Sequence, residues 1–516
     1  MKKSFVDAYL EAQSKNLSAP ACIYGGNVIS RAALLHMTCH YAKRLHAMGV
    51  APGDVVALSL PDMPAHLAMM LSVARLGAVS LPVHTRTNAA GKRALAKRFG
   101  AKWVIVPTKP SDQTKEDQAA GADATARAAA TELPYRVVSL KELAPPPDQK
   151  ISAESLDLKA VCDYWPSPDT PARIALTSGT TGVPSAVQYD HAYWANRIAT
   201  TVEFCDEGSR VLCGSLALTM GNISAFAALT NGGVAVFQTK HTPQDYLATV
   251  NAHAVTHAML PPAAVKRYAS ILPHGNAMPS VKYLRIVGGG LSAQLVEIAS
   301  TRLTPNVYLP YGISEVGAIS MAMPEDLKNN PTSAGRVKAG VKLQVVDEKG
   351  KVLKPGETGE LRAKLPHMLK GYLQDDQKTS DRFKNGWFHT NDIGYISEDG
   401  LVFIDGRKDD RINLGGNKFY PERVERVFDS MPQIAEIAVF QMQIEGEPKL
   451  AAAVVWQDKP EIKAFEAFCQ DKKLGRMTPQ VIATVTELPR NPAGKVLRAQ
   501  LPEMLKRTSN AKGTLQ

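Results

Sequence analysis

Residues 174–187 read IALTSGTTGVPSAV, an apolar run that passes straight into a loop of glycines and small hydroxylated residues. Ile174 to Leu176 have the character of a buried strand, and Thr177, Ser178, Gly179, Thr180, Thr181 and Gly182 follow at once. Glycines let a chain turn so that several backbone N–H groups converge on one anion, and hydroxyls add donors at short reach. Such a loop suits a polyphosphate. It lacks the G-x-x-x-x-G-K-[ST] spacing of a Walker loop, which argues against an ordinary P-loop NTPase. By composition alone a loop of this kind is more often a plain turn, so its meaning depends on the rest of the chain.

Strand and helix alternate on the N-terminal side of the loop. From Ser30 to Val50 the apolar residues Leu34, Met37, Tyr41, Leu45 and Met48 recur at helical spacing, with Ser30 as N-cap. A Pro-Gly-Asp turn at Pro52 to Asp54 leads to strand-like VVALSL; a helix, SLPV near Ser80 and WVIVP from Trp103 come next. This alternation predicts an α/β fold whose sheets are parallel and covered on both faces. The polar, alanine-rich stretch between Pro110 and Glu132 shows no apolar face and reads as an excursion from that pattern. No internal repeat is evident.

The texture changes after Gly406. A helix from Pro421 to Met431 precedes two apolar runs, EIAVF and LAAAVVW, then a helix near Ala464 and strand-like VIATV. These predict a small α+β unit, joined to the large one through the charged segment GRKDDR. With 516 residues the chain exceeds one hydrophobic core. The expected division is a large N-terminal domain of α/β subdomains over 1–405, a hinge over 406–411 and a small mobile domain over 412–516.

Bulk properties narrow the function. The net charge of +11 is dispersed, with no basic run interleaved with aromatics, so nucleic acid is not the expected partner. A small polyanion fits better. Six scattered cysteines give neither a disulfide framework nor a zinc spacing. Asp7, Glu11 and Lys15 interrupt any signal-peptide core, and His66, Arg75 and Pro82 break the most apolar stretch. The expectation is a soluble cytoplasmic protein without a membrane span.

In its motifs the sequence resembles the adenylate-forming superfamily of acyl-CoA synthetases, nonribosomal adenylation domains and luciferases. The resemblance runs from about Leu10 to Arg498 and rests on ordered motifs: GVAPGDVVALSLPD, LTSGTTGVP, the glycines Gly288, Gly289 and Gly290, YGISE at Tyr311 to Glu315, HTNDIG at His389 to Gly394, GRKDDRINLGGNKFYPERVE from Gly406 and PRNPAGKVLR at Pro489 to Arg498. Each is weak alone; their order is what carries the likeness.

That resemblance implies ATP, Mg2+ and coenzyme A as cofactors and co-substrate, and assigns roles. Thr177 to Gly182, Thr180 among them as a catalytic residue, would hold the phosphates. Gly288 to Gly290 and Tyr311, Gly312, Ile313 and Ser314 would line the nucleotide, with Tyr311 stacking on adenine. Glu315 would bind magnesium, Asp392 the ribose hydroxyls with help from Arg407, and Lys495 would drive adenylation. Asp409 would be the hinge about which the small domain swings, and Leu414, Gly415 and Gly416 the face that opens a pantetheine channel. Thr219, Met220, Asn222, Gly290 and Val316 would shape the acid pocket.

Three departures stand out. The family's Thr-Gly-Asp is Thr390-Asn391-Asp392 here, and asparagine also tolerates left-handed backbone. The loop continues Pro184-Ser185-Ala186 where relatives carry Pro-Lys-Gly, removing one cation that would face the departing pyrophosphate. LALTMGN at Leu216 to Asn222 replaces an aromatic-histidine pair beside the acid site, which implies an unusual substrate.

The implied activity is two-step: a small carboxylic acid forms an acyl-AMP with ATP, and a thiol takes the acyl group. Free coenzyme A is the expected acceptor. The alternatives are a carrier-protein pantetheine or an amine, and a non-catalytic nucleotide- or acyl-binding relative. A monomer or homodimer is expected.

Overall fold

The computed structural model describes residues 3–107, 135–146, 149–177, 184–201, 204–272, 275–414, 416–490 and 495–505. The stretch between Pro110 and Glu132, Ser178 to Gly182 and Gly415 lie outside the described residues.

Local signals in the sequence set the first elements. Ser30 caps the helix Arg31–Ala47, its hydroxyl accepting the Ala33 N–H at 3.1 Å. Pro64 opens the helix Pro64–Arg75, where its fixed φ is suited and a missing N–H costs nothing. Each helix returns the chain to a parallel strand: Val55–Leu58, Val79–Pro82 and Ala101–Val106 lie side by side. With Arg136–Ser139, Pro171–Thr177 and Ser185–Asp190 they form a six-stranded sheet among the described residues, parallel except at its last pair.

Among the described residues a second sheet of nine strands runs from Arg336–Val337 at one edge to Asn27–Ser30 at the other. Its centre is parallel, and its edges are closed by antiparallel neighbours. The two sheets share one inner core. Val56, Leu58, Ala172 and Val187 from the first meet Cys22, Val211, Ala235 and Phe237 from the second, across helices Arg31–Ala47, Pro64–Arg75, His191–Thr201 and Thr219–Thr230. Trp194 is fully buried there, stacked on Phe5 at 4.1 Å and edge-on to Phe226 at 5.5 Å. Separate apolar clusters cover the outer faces, one around Tyr246, Val265 and Leu303 and one around Leu81, Ala96 and Phe99. Both sheets are therefore covered on both sides, as the alternating pattern predicts.

A third, antiparallel sheet follows: Lys342–Val346, Gly359–Lys364, Trp387–Ile396, Phe383–Lys384 and Val402–Arg407. The chain then makes a single 3-10 turn at Lys408–Asp410. Beyond it the apolar residues form cores of their own. Ile412, Val424, Phe428, Leu450, Val454 and Phe465 pack on one side of the sheet Ile434–Ile444, Glu447–Trp456 and Val481–Thr484; Ala438, Phe440, Ala451, Leu501 and Leu505 pack on the other. This is the small α+β unit expected from the change in texture after Gly406.

Candidate active site

Segments of the three sheets meet here, joined by hydrogen bonds from Tyr189 to Ser314, from Tyr311 to Asp392 and from Tyr372 to Glu315. Thr177, 7% exposed, closes the strand Pro171–Thr177 and is the register partner of Ser185, so these two residues form the base from which residues 178–183 depart. Gly288 to Gly290 follow the strand Tyr283–Ile286 and are exposed; a side chain at Gly288 would meet nothing within 4 Å, while its φ of +102° favours glycine. That opening is a place where backbone can approach a ligand closely. Both positions lie at the carboxyl ends of strands in open α/β sheets, the usual place for ligands.

The YGISE turn is supported from below. The Tyr189 hydroxyl donates to the Ser314 carbonyl at 2.9 Å, and that of Tyr193 donates to the Glu315 carbonyl at 3.1 Å. The Glu315 side chain is thereby fixed, 7% exposed, and its Oε1 accepts a 2.6 Å hydrogen bond from the Tyr372 hydroxyl. Among the described residues there is no group of three or more His, Cys, Asp or Glu side chains able to cage a metal. A lone buried carboxylate fits magnesium, which takes most of its ligands from phosphate and water.

The third sheet supplies the next pair. Asp392 and Arg407 are register partners on adjacent strands, with Nη1 to Oδ1 at 3.5 Å. The Tyr311 hydroxyl donates to Asp392 Oδ2 at 2.7 Å, and the Asp392 N–H donates to Thr390 Oγ1 at 3.1 Å. Burial raises the Asp392 carboxyl above the usual range, while Arg407, Tyr311 and Lys495 pull it back. Asn391 takes φ +63°, the left-handed conformation that the replacement of glycine by asparagine predicts to be tolerated. Its side-chain amide also donates to the Asp409 carboxylate.

Lys495 comes from the small unit and is half-buried. Burial and then Arg407 lower its pKa, whereas Asp410, Asp392 and Glu422 raise it, which puts the ammonium in electrostatic reach of the Asp392–Arg407 pair. Its segment is fastened by Arg498, which bonds Glu425 at 2.6 Å and Glu422 at 3.2 Å and reaches Asp410 at 4.0 Å.

The residues proposed for the acid pocket fall into two groups. Thr219 and Met220 begin the helix Thr219–Thr230 and stay partly exposed, and Gly290 is exposed. Asn222 and Val316 are 1% exposed. The Asn222 amide is committed to Trp194 Nε1 at 3.1 Å and Met70 Sδ at 3.5 Å, and Val316 packs with Ile319, Ala363 and Phe388. Leu414 ends the strand Ile412–Leu414, and Gly416 precedes its antiparallel partner Asn417–Phe419.

Sequence reasoning missed Tyr372, Lys378 and Arg382, which the segment around helix Asp376–Arg382 brings to the same place. Arg382 Nη2 donates to the Thr390 carbonyl at 2.7 Å and holds the Asp392 turn. Lys378 and Arg382, with Asn391 and Asp409, line a polar cavity of about 300 Å³. Only their distance from Glu315 in space, invisible in a sequence, marks them.

Residues 10–373 match the AMP-binding enzyme family. The chain belongs to that family. It is an AMP-binding enzyme of the adenylate-forming superfamily its motifs resemble. It is 28% identical over 486 residues to 2-succinylbenzoate–CoA ligase of Geobacillus kaustophilus, covering 92% of this chain and 93% of the relative. Indoleacetate–CoA ligase of Aromatoleum aromaticum is 27% identical, with 93% and 94% covered. Among solved structures, O-succinylbenzoate coenzyme A synthetase of Bacillus subtilis, in complex with ATP and magnesium ion, superposes with a TM-score of 0.81 at 22% identity, covering 96% of this chain and 98% of that one. This last likeness is one of fold. Among the described residues of this AMP-binding enzyme no helix is long and apolar enough to cross a membrane.

Proposed function

We propose that this AMP-binding enzyme is an acid–thiol ligase that makes an acyl-adenylate and passes the acyl group to coenzyme A. One relationship supports the assignment of its site: Lys495, from the small unit, feels the charges of Asp392 and Arg407 of the large one. We take residues 1–405 as the ATP- and acid-binding domain, 406–411 as the hinge and 412–516 as the domain that brings Lys495.

In the first half-reaction a carboxylate oxygen attacks the α-phosphorus of ATP. The bond from that phosphorus to the bridging oxygen breaks, and pyrophosphate leaves with the electron pair. Positioning and electrostatics carry such a step. Lys495 meets the charge that builds up as two anions approach. A cation at about 4 Å contributes about 4 kcal/mol at an effective dielectric of about 20, or about a thousandfold in rate. Asp392 accepts from the ribose hydroxyls; burial raises its carboxyl, and Arg407 opposes that rise. Tyr311 gives its ring face to adenine while its hydroxyl stays on Asp392. Magnesium, when bound through Glu315, supplies charge neutralisation at the phosphates. Thr180 and its loop neighbours are assigned to those phosphates by their motif.

In the second half-reaction the small domain turns about Asp409 and brings Leu414 to Gly416 forward. The thiolate of coenzyme A attacks the carbonyl carbon, the bond to the AMP oxygen breaks, and AMP leaves with the pair; the thiol proton goes to solvent. Closure of this kind keeps water from the mixed anhydride. All the side chains invoked come from one chain, so a monomer or homodimer suffices. The six cysteines are unpaired, which supports a reducing, cytoplasmic setting.

Acid-dependent ATP–pyrophosphate exchange, screened over aryl, short-chain and medium-chain acids, tests the first half-reaction and identifies the acid. Silence across the panel overturns catalysis and favours a ligand-binding relative. Acyl-AMP that coenzyme A leaves untouched, but a carrier protein or an amine consumes, moves the acceptor to that partner.

A further inference from the structure

We propose that Lys378 is the ATP-phosphate cation of this enzyme, standing in from helix Asp376–Arg382 for the lysine absent at position 185. The inference rests on the ATP-binding reading above and deepens it.

The position is fixed by contacts on both sides. Ser185 opens the strand Ser185–Asp190, faces Thr177 across the base of the phosphate loop and is 8% exposed. Lys378 Nζ donates to Ser185 Oγ at 2.5 Å. The same ammonium lies 4.7 Å from the centre of the Tyr372 ring, whose hydroxyl is bonded to Glu315 Oε1 at 2.6 Å. A positive charge thus occupies the gap between Ser185, at the loop base, and the carboxylate assigned to magnesium, which suits an outer phosphate of ATP. A long side chain extending from residue 185 itself would occupy the same gap.

The helix is braced for this task. Its N-cap Asp375 accepts the Lys378 N–H at 3.0 Å, and the Thr379 hydroxyl accepts the Tyr372 N–H at 2.9 Å. Gly371 permits the close approach, since a Cβ there would lie 2.4 Å from Thr379 Cγ2. The Leu373 N–H donates to the Ala186 carbonyl at 2.7 Å, which ties this segment directly to the strand after the loop. Lys378 and residue 185 therefore hold one spacing. The two contacts of the ammonium, a hydroxyl and a ring face, are neutral, with the carboxylates of Glu315 and Asp375 and the guanidinium groups of Arg382 and Arg407 felt at longer range, and a half-buried ammonium on such contacts is suited to receive an anion. Loss of the loop lysine and its supply from another element leave the charge at the site unchanged.

The test is equilibrium titration of the full chain with magnesium–ATP, magnesium–pyrophosphate and AMP. In Lys378→Met, affinity for ATP and pyrophosphate is expected to fall about tenfold, the worth of one charge-assisted contact, with AMP binding unchanged because AMP lacks the outer phosphates. Lys378→Arg retains most of the affinity, and Ser185→Lys combined with Lys378→Met restores it. Equal weakening of all three ligands marks a structural role and overturns the proposal, as does unchanged ATP and pyrophosphate affinity. These are binding readouts, so absence of acid-dependent exchange in the parent enzyme counts against the catalytic reading and leaves this comparison decisive for Lys378.

Discussion

The side-chain amide of Asn391 donates to the carboxylate of Asp409, joining the strand that carries Asp392 to the short turn that leads into the small unit. A glycine at 391 would keep the left-handed turn and lose this link. The link therefore favours the orientation in which Lys495 faces Asp392. An exposed hydrogen bond to a charged group is worth about 1 kcal/mol, so Asn391→Gly is expected to slow adenylation and speed thioester formation, each by about two- to tenfold. Single-turnover measurements of the two half-reactions check this. If neither rate moves, Asn391 shapes the turn alone.

Lys495→Ala separates the half-reactions more sharply. Exchange should fall by about a thousandfold, following the about 4 kcal/mol charge effect. Thioester formation from supplied acyl-AMP needs no charge at the α-phosphorus and should stay within a few-fold. Equal losses in both would show that Lys495 supports the fold of its segment instead.

The same lysine predicts a pH dependence. Burial and Arg407 favour its neutral form, so its pKa lies below the ordinary lysine range. Adenylation needs the ammonium, hence kcat/KM for ATP, which reports the free enzyme, must fall as pH rises through that lowered value. Lys495→Arg carries a charge that does not titrate there and should flatten the limb. Burial lowers Lys378 too, so the limb must also survive in Lys378→Met to be assigned to Lys495.

How much of this was legible in the sequence depended on the range of each interaction. The helix Arg31–Ala47 and its Ser30 cap are local, and the strand–helix alternation through Val106 is carried by short-range periodicity. Sheet order is not local: Pro20–Tyr24 pairs with Val234–Phe237, more than two hundred residues away, and nothing in either strand names its partner. The antiparallel sheet over 342–407 escaped because strands such as Gly359–Lys364 carry Glu360, Arg362 and Lys364 on alternate positions and look like surface. For the proposed site, the motifs name Glu315, Asp392, Arg407 and Lys495, and the Asn391 turn followed from its residue type. Tyr372, Lys378 and Arg382 were not, since their value lies in where helix Asp376–Arg382 docks.

Tyr372 gives a prediction of that kind. Its hydroxyl is bonded to Glu315 Oε1 at 2.6 Å and orients the carboxylate. A hydrogen bond to a charged group contributes about 1.5–3 kcal/mol, and partners that orient a metal ligand are worth about 10–100-fold in metal affinity. Tyr372→Phe should therefore raise the magnesium concentration needed for half-maximal exchange by about tenfold or more, with KM for the acid little changed. A shift in the acid KM alone would place Tyr372 at the acid pocket.

Glu360 governs acid stability beside the same cavity. Burial acts to raise its carboxyl, but the hydrogen bond from His389 and the charge of Lys408, 3.2 Å away, hold it down to about 2. A carboxylate whose folded pKa is depressed stabilises above its unfolded value, about 4.3, and that contribution is lost as pH falls through the folded value. The window is therefore about pH 4 down to 2. The effect is bounded at about 3 kcal/mol and is smaller in salt, because Lys408 is exposed. Denaturant unfolding of the parent and of Glu360→Gln should show the parent more stable at pH 5, with the gap closing as pH approaches 2. A gap that stays constant across that range would mean that the glutamate acts through packing and not through its charge.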